Sequence, residues 1–260
     1  MKRENKDFIK FLGTAGARFV VARQLRSSAG VYLRIKGKNI ILDPGPGTLV
    51  RCAKSRPAVD VTGLDAVILT HAHIDHSNDV NVLIDAMTGG GLERRGMLFA
   101  PSECLDGPNT VVLPYLRGFV QDIEILKPEQ TYHLDDVTFT TSSRHEHPME
   151  TYGVLFQLDG RKISFMVDTT YFPGLINEYG GSHTLIMNVV RFKPHESSTV
   201  MHLSIDDVKE ILSGIRPEKA ILTHFGMTML KAKPWDVASR LSDELQLEVI
   251  AASDGMMVEL

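Results

Sequence analysis

The segment ILTHAHIDHSND, residues 68–79, places three histidines and two aspartates directly behind an apolar run. That run, LDAVILT at residues 64–70, is rich in apolar and β-branched residues and predicts a buried strand. Imidazole and carboxylate groups are suitable ligands for zinc, manganese or iron. The segment therefore predicts a metal site at the end of a buried strand.

The spacing inside this segment predicts how the ligands are presented. His71 and His73 are two residues apart, so in an extended chain both side chains face the same way. Asp75 and His76 follow where the chain is expected to turn into a helix that begins at Ser77. One short stretch thus offers neighbouring ligand groups from the ends of regular elements.

The rest of the chain predicts an α+β fold in which two β-sheets are covered by helices. VYLRI (31–35) and NIILD (39–43) indicate two strands joined by a turn at Gly37-Lys38. The middle of the chain predicts further strands, and the last third alternates strands with helices. Because no linker or low-complexity stretch interrupts this pattern, we expect residues 1–260 to form a single domain.

The composition limits the classes of function. The net charge is −4, with basic and acidic residues interspersed, which argues against an extended nucleic-acid-binding surface. The two cysteines, Cys52 and Cys104, form no CxxC pair and favour a reducing compartment. No apolar run approaches the roughly 18 residues that would cross a membrane. We therefore expect a cytoplasmic protein with no membrane partner.

The stretch HAHIDH (71–76) resembles the HxHxDH motif of the metallo-β-lactamase superfamily. The resemblance implies that family's fold, a four-layer αβ/βα sandwich of two mixed β-sheets flanked by helices. It also implies two metal ions in the loops at the sheet edges. Three more ligands are then expected: a later histidine, an aspartate that bridges the metals and a histidine near the C-terminus.

Polar residues at later strand ends match these expected ligands. Asp168 follows the predicted strand ISFMV and matches the bridging aspartate, with a helix N-cap as its alternative role, and His224 matches the last histidine. For the remaining position, the resemblance implies His147, from its register before Tyr152-Gly153, rather than His145, which would then support a ligand or contact the substrate. The resemblance thus implies a first metal held by His71, His73 and His147, a second held by Asp75, His76 and His224, and Asp168 bridging them.

The expected cofactors are therefore two divalent metal ions. Zinc is the expected metal, and manganese and iron remain open because histidine and carboxylate ligands suit all three. Two such ions share a hydroxide that is available as a nucleophile at neutral pH.

Further segments narrow the resemblance to the branch that contains ribonuclease Z and the cyclic-phosphate phosphodiesterases. The resemblance implies catalytic roles for Asp75, as a ligand, and for His202, which would protonate the leaving oxygen or stabilise the phosphoryl charge. Asp43, in a glycine-rich turn, is expected to accept a hydrogen bond from a ligand imidazole. The segments that carry the resemblance are FLGTAG (11–16), LDPGPGT (42–48), MHLS (201–204) and LTHFG (222–226).

One departure from ribonuclease Z points to the substrate. That enzyme carries a long basic arm between the third-position histidine and the bridging aspartate, whereas here little more than one hairpin joins His147 to Asp168. We therefore expect a phosphodiesterase that hydrolyses a small or cyclic phosphodiester, and the low positive charge disfavours extended nucleic-acid binding.

Three alternatives remain open at this point. The same site would suit an ester or lactone hydrolase, or a metal-binding protein without turnover. An RNA-processing nuclease that lacks the arm is the third, with GGGLERR (89–95) as a candidate basic flap. The roles of Arg191, Lys193 and His195 are left open, and a homodimer is a family-level expectation.

Overall fold

The structure, a computed structural model, describes residues 6–28, 30–197 and 199–260. Within these residues, the first of two seven-stranded sheets has its strands in the order β14-β1-β2-β3-β4-β5-β6, where β3 to β6 run parallel. Its strands are Phe8–Phe11 (β1), Val31–Ile35 (β2), Lys38–Leu42 (β3), Ala66–Ile68 (β4), Met97–Pro101 (β5), Asp122–Leu126 (β6) and Met257–Glu259 (β14).

The second sheet has the order β13-β12-β11-β10-β9-β8-β7. Its strands β7 to β10 pair antiparallel and β10 to β13 pair parallel, so this sheet is mixed like the first. Its strands are Thr131–Leu134 (β7), Val137–Arg144 (β8), Tyr152–Leu158 (β9), Arg161–Met166 (β10), Thr184–Asn188 (β11), Lys219–Thr223 (β12) and Glu248–Ala251 (β13).

Helices pack on the outer faces of both sheets. Apolar residues of α2 and α4 join one cluster against the first sheet, and those of α5, α6 and α8 join another against the second. The helices are Ala17–Ala22 (α1), Thr48–Lys54 (α2), Ile74–Ser77 (α3), Val80–Met87 (α4), Gly174–Tyr179 (α5), Ile205–Ile215 (α6), Met227–Ala232 (α7) and Pro234–Leu245 (α8).

Alternation along the central strands explains why the sheets are buried on both faces. In β3, Ile40 and Leu42 face the core between the sheets, while Ile41 packs under the helices. In β12, Ile221 belongs to the same central core, which therefore joins both sheets. The predicted four-layer α+β sandwich is confirmed. The single domain over residues 1–260 stays a prediction, which this shared core supports.

The turns that connect the hairpins agree with the sequence in one case and differ in another. Asp159 and Gly160 join β9 to β10 with φ of +47° and +81°, as the Asp-Gly pair predicts. The turn between β2 and β3 is formed by Lys36 and Gly37, not by the predicted Gly37-Lys38. Both residues adopt positive φ, and pairing of Ile35 with Lys38 leaves room for only this two-residue turn.

The parallel strands bring the polar strand ends to one edge of the sandwich. Asp43 follows β3, Asp168 follows β10 and His224 follows β12. Since the carboxyl ends of parallel strands meet at the same edge, these residues converge with the segment after β4. Among the residues described, no helix is long and apolar enough to cross a membrane.

Candidate metal centre

The segment after β4 enters a helix earlier than the sequence predicts. α3 is a short helix that the sequence did not predict, so Asp75 and His76 lie on a helix, and the helix predicted to begin at Ser77 is α4, which begins at Val80. The carbonyl of His73 accepts hydrogen bonds from the backbone N–H groups of His76 at 2.9 Å and Ser77 at 3.1 Å. This closed turn fixes the directions in which the Asp75 and His76 side chains leave the backbone.

Three imidazoles and one carboxylate form the first group of donor atoms. His73 Nδ1 lies 3.1 Å from His71 Nε2 and 3.0 Å from His147 Nε2. With an oxygen of Asp168, the donor atoms of these residues all lie within 4.8 Å of one another. Two ring nitrogens at this distance can share one proton at most, so the arrangement suits lone pairs that converge on a cation.

Asp75, His76 and His224 form the second group. His224 Nε2 lies 3.3 Å from His76 Nε2 and 3.6 Å from Asp75 Oδ2. Gly16 permits this packing, because a Cβ at that position would lie 2.2 Å from the carbonyl oxygen of His224. The glycine of FLGTAG thus lets the loop after β1 pack directly against a residue of the site.

Asp168 lies between the two groups. Its Oδ2 is 4.0 Å from His71 Nε2 and 3.5 Å from His76 Nε2, and its Oδ1 is 3.5 Å from His224 Nε2. Burial opposes ionisation of Asp168, but the imidazoles of His224, His76 and His202 outweigh it and hold its pKa well below the ordinary range. Residues 169–173 are not helical, so Asp168 is not the N-cap that its alternative role required.

The protonation of the histidines fits a ligand role. Burial lowers the pKa of His71, His73 and His147 below the ordinary value for histidine, and neighbouring imidazoles lower it further. These three rings are therefore neutral, as metal ligation requires. His76 differs, because burial lowers its pKa but Asp43 and Asp168 outweigh burial and raise it well above the ordinary value. Imidazole and carboxylate donors of this kind fit a divalent metal ion at either group.

Hydrogen bonds on the far side of two rings fix which nitrogen faces the site. His76 Nδ1 lies 2.9 Å from Asp43 Oδ2, and His147 Nδ1 lies 3.1 Å from the carbonyl oxygen of Met201. Both acceptors select the tautomer that leaves Nε2 free to bind a cation. Asp43 also accepts from the backbone N–H and hydroxyl of Thr70, at 2.7 and 2.6 Å.

His145 points away from both groups. Its side chain is buried, with Nδ1 3.3 Å from the carbonyl oxygen of Asp168 and Nε2 2.8 Å from the hydroxyl of Tyr179. Burial lowers the pKa of His145 to about 4, so the ring is neutral. The structure therefore brings His147, and not His145, together with His71 and His73.

His202 lies beside Asp168. Its Nδ1 is 3.6 Å from Asp168 Oδ2 and, among the described residues, has no hydrogen-bond partner. Burial lowers its pKa, and the carboxylate of Asp168 only partly opposes this. On the preceding loop, the backbone N–H of Arg191 donates to the carbonyl of Leu203, while Lys193 and His195 are exposed.

Three contacts at the site were not predicted from the sequence. Asn188 donates from Nδ2 to Asp168 Oδ1 at 2.9 Å, Tyr179 contacts His145, and the Met201 carbonyl holds His147. Asn188 carried a usable signal, because it is a polar residue at the end of the apolar strand TLIMN. A backbone carbonyl carries no signal in the identity of its residue.

Comparison with known proteins gives a matching family, a relative that matches over nearly its full length, and partial matches. The family model for the β-lactamase superfamily domain matches residues 38–225. An uncharacterized protein of Methanocaldococcus jannaschii is 28% identical, over 97% of this chain and 94% of its own. The ribonuclease Z of Methanopyrus kandleri is 32% identical over 110 residues, which are 41% of this chain and 38% of that protein.

Solved structures resemble the whole chain. The metallo-β-lactamase fold protein YhfI from Bacillus subtilis has a TM-score of 0.79 and 18% identity, covering 98% of this chain and 100% of its own. A diphosphatase from the PhnP family has a TM-score of 0.72 and 20% identity, covering 98% and 97%. The fold and the resemblance to the branch with ribonuclease Z, both predicted from the sequence, are confirmed.

Proposed function

The chain belongs to the β-lactamase superfamily of metal-dependent hydrolases, and on that premise we propose that it is a dinuclear phosphodiesterase for a small or cyclic phosphodiester. When bound, two divalent ions would supply Lewis acidity and would lower the pKa of a bound water enough to provide a hydroxide nucleophile at neutral pH. The residues proposed to hold them are His71, His73 and His147 for one ion, Asp75, His76 and His224 for the other, and Asp168 for both.

The observation that carries this proposal is the position of His202. Its ring nitrogen lies 3.6 Å from the carboxylate of Asp168 and makes no hydrogen bond to any residue described. A phosphodiester with a poor alkoxide leaving group needs a proton donor beside the reacting centre, whereas an activated ester does not. A ring held beside Asp168 in this way is proposed to donate to the leaving oxygen or to a phosphoryl oxygen.

Two features favour a small substrate. The connection between His147 and Asp168 is occupied by β9, β10 and their two-residue turn, so it contains no arm that could grip an RNA. The arginines of the 89–95 segment are held by backbone carbonyls: Arg94 Nε donates to Val120 at 3.0 Å and Arg95 to Thr62 at 2.7 Å. A loop tied down in this way is poorly suited to act as a basic flap.

Cleavage of RNA is the second candidate, because three of the curated relatives are ribonucleases Z. The match to the ribonuclease Z of Methanopyrus kandleri covers 41% of this chain and 38% of that protein, so more than half of each chain is unmatched. An ester or lactone hydrolase and a metal-binding protein without turnover use the same ligands and are distinguished by assay.

The test compares three substrates, two phosphodiesters with different leaving groups and one carboxylic ester. Purified protein loaded with Zn²⁺ or Mn²⁺ is assayed on bis-p-nitrophenyl phosphate, on a 2′,3′-cyclic nucleotide and on p-nitrophenyl acetate. Hydrolysis of the phosphodiesters in preference to the acetate ester is expected. Cleavage of a precursor transfer RNA alone, or activity on the acetate ester alone, would refute the proposal.

The variant His202→Ala tests the role of His202. Loss of a general acid is expected to reduce kcat on the cyclic nucleotide by about 10²–10⁴-fold. The loss should be smaller on bis-p-nitrophenyl phosphate, whose phenolate leaves without a proton. His195→Ala, on the exposed loop, is the matched control, and metal content should be equal in all three proteins. Unchanged turnover of the cyclic nucleotide by His202→Ala would contradict the assigned role.

A further inference from the structure

A buried pair, His145 and Tyr179, lies beneath the proposed metal centre and takes no part in the function proposed above. Both side chains are buried, at 1% and 0% exposure. The ring of His145 connects the hydroxyl of Tyr179, 2.8 Å from Nε2, to the backbone carbonyl of Asp168, 3.3 Å from Nδ1. The pair thus reaches the backbone of the one residue that lies between the two donor groups.

The chemistry of the partners fixes the direction of both hydrogen bonds. A carbonyl oxygen can only accept, so Nδ1 of His145 must carry the proton and donate to Asp168. Nε2 of the neutral ring is then an acceptor, and the hydroxyl of Tyr179 donates to it. The result is a directed chain from Tyr179 through His145 to the backbone of Asp168.

The surrounding backbone holds this chain in place. A Cβ on Gly153 would lie 1.8 Å from the hydroxyl oxygen of Tyr179, so the glycine leaves the space that the hydroxyl occupies. The His145 N–H donates to the carbonyl of Thr151 at 2.9 Å, and the Thr170 N–H donates to that of Glu146 at 3.0 Å. The loop that contains His147 is therefore bonded to the segment that follows Asp168.

We propose that Tyr179 and His145 are positioning residues that set the backbone of Asp168 and, through it, how its carboxylate is shared between the two donor groups. This inference rests on the proposed metal centre. Neither residue touches the reacting atoms. Their contribution is to hold the Asp168 carboxylate where it meets His71 and His76 on one oxygen and His224 on the other.

Three substitutions separate the two hydrogen bonds. In His145→Asn the amide nitrogen takes the place of Nδ1 and keeps the bond to the Asp168 carbonyl, whereas His145→Gln places its amide near Nε2 and leaves that carbonyl unbonded. Tyr179→Phe removes the donor to Nε2 and keeps the ring. The asparagine variant is therefore expected to resemble the wild type more closely than the glutamine variant does.

Tyr132→Phe and His183→Asn are the matched controls. The buried hydroxyl of Tyr132 donates to the carbonyl of Ile125, and His183 accepts from the backbone N–H of Lys162, both away from the donor groups. They report the general cost of losing a tyrosine hydroxyl or an imidazole from this fold.

The experiment loads each protein with Mn²⁺ and with Co²⁺ and measures the affinity for each equivalent and the magnetic coupling between the two ions. Residues that orient a ligand typically contribute 10–100-fold to metal affinity, so His145→Gln should bind the second equivalent at least about tenfold more weakly, and Tyr179→Phe, which keeps the bond to the Asp168 carbonyl, should show a smaller loss. Their coupling signal should be altered, and both effects should be small in His145→Asn and in the controls. Melting temperatures of the metal-free proteins identify a variant that has merely failed to fold.

Wild-type affinity and coupling in Tyr179→Phe and His145→Gln would overturn the inference. The same would follow if the two controls changed the coupling as much as these variants do. Metal affinity and magnetic coupling can be measured without turnover. If the wild-type protein binds two ions but has no phosphodiesterase activity, the proposed reaction is refuted, and the variants still test the positioning pair. Conversely, an active enzyme with unaffected variants refutes only the positioning pair.

Discussion

Replacing Asp43 by asparagine tests how the second donor group is held. Asp43 has φ of +52°, a left-handed conformation that asparagine adopts readily, so the backbone tolerates the change. Its Oδ1 accepts from the Thr70 N–H at 2.7 Å, and its Oδ2 accepts from the Thr70 hydroxyl at 2.6 Å and from His76 Nδ1 at 2.9 Å. The carboxylate is buried, at 8% exposure, and serves as acceptor for all three groups.

An amide cannot serve all three donors. If its oxygen stays on the Thr70 N–H, its NH₂ group faces His76, which must then move its own proton to Nε2. That nitrogen faces His224 and Asp75, and once protonated it cannot bind a cation. If the amide is flipped, two donors meet at the Thr70 N–H instead. An unsatisfied buried donor costs about 1–3 kcal/mol, and at 1.4 kcal/mol per factor of ten this corresponds to a loss of about 10–100-fold in affinity.

The assay is competition for Zn²⁺ against a chromophoric chelator, resolved into two equivalents. Asp43→Asn should weaken the equivalent held by Asp75, His76 and His224 by about 10–100-fold and leave the other nearly unchanged. Asp65→Asn is the control. The Asp65 carboxylate also accepts a partly buried hydrogen bond, from the backbone N–H of Asn39, but it lies at the opposite end of β4. If Asp43→Asn binds both equivalents as tightly as Asp65→Asn does, His76 is not oriented in the way described.

Two further predictions concern pH and stability. In the metal-free protein, burial opposes protonation of His76, but Asp43 and Asp168 raise its pKa well above the ordinary value, so metal binding must expel a proton. Affinity for Zn²⁺ should therefore fall as the pH is lowered. The heat of binding should depend on the ionisation enthalpy of the buffer, because the released proton is taken up by it. A heat of binding that does not depend on the buffer would contradict the release of a proton. Ser204→Ala removes the capping box of α6, which should cost about 1 kcal/mol and lower Tm by about 2–4 °C at unchanged metal content; an unaltered Tm would mean that the cap contributes nothing.

Much of the fold could be predicted because each strand has a recognisable local sequence pattern. Short apolar runs with a polar residue directly after them located β4, β10 and β12, and the same pattern located Asp168 and His224. The side-chain alternation of a strand then decides which residues face the core, as it does for Ile40 and Ile41. Errors arose at the turn formed by Lys36 and Gly37, which is shifted by one residue, and at α3, a four-residue helix that the sequence did not predict.

The contacts that orient the site could not be predicted in the same way, because they join residues far apart in the chain. Tyr179 lies 34 residues from His145, and the Met201 carbonyl lies 54 residues from His147. Neither separation reflects the periodicity of a helix or a strand, so no sequence pattern indicates the contact. Such partners become visible only after the two sheets and their connecting loops have been assembled.

The two histidine pairs with the same spacing show where spacing stops being informative. His71 and His73 lie two residues apart and enter the same donor group, whereas His145 and His147 have that spacing and diverge. Strand β8 ends at Arg144, so His145 and His147 lie outside it, and the side-chain alternation of a strand does not fix their directions. What separates its members is the carbonyl within reach of each Nδ1, that of Asp168 for His145 and that of Met201 for His147. Nδ1 is hydrogen-bonded in both histidines, so they differ at Nε2. Nε2 of His145 contacts the hydroxyl of Tyr179, whereas Nε2 of His147 contacts the imidazole of His73. The partner of Nε2 therefore distinguishes a supporting histidine from a candidate ligand.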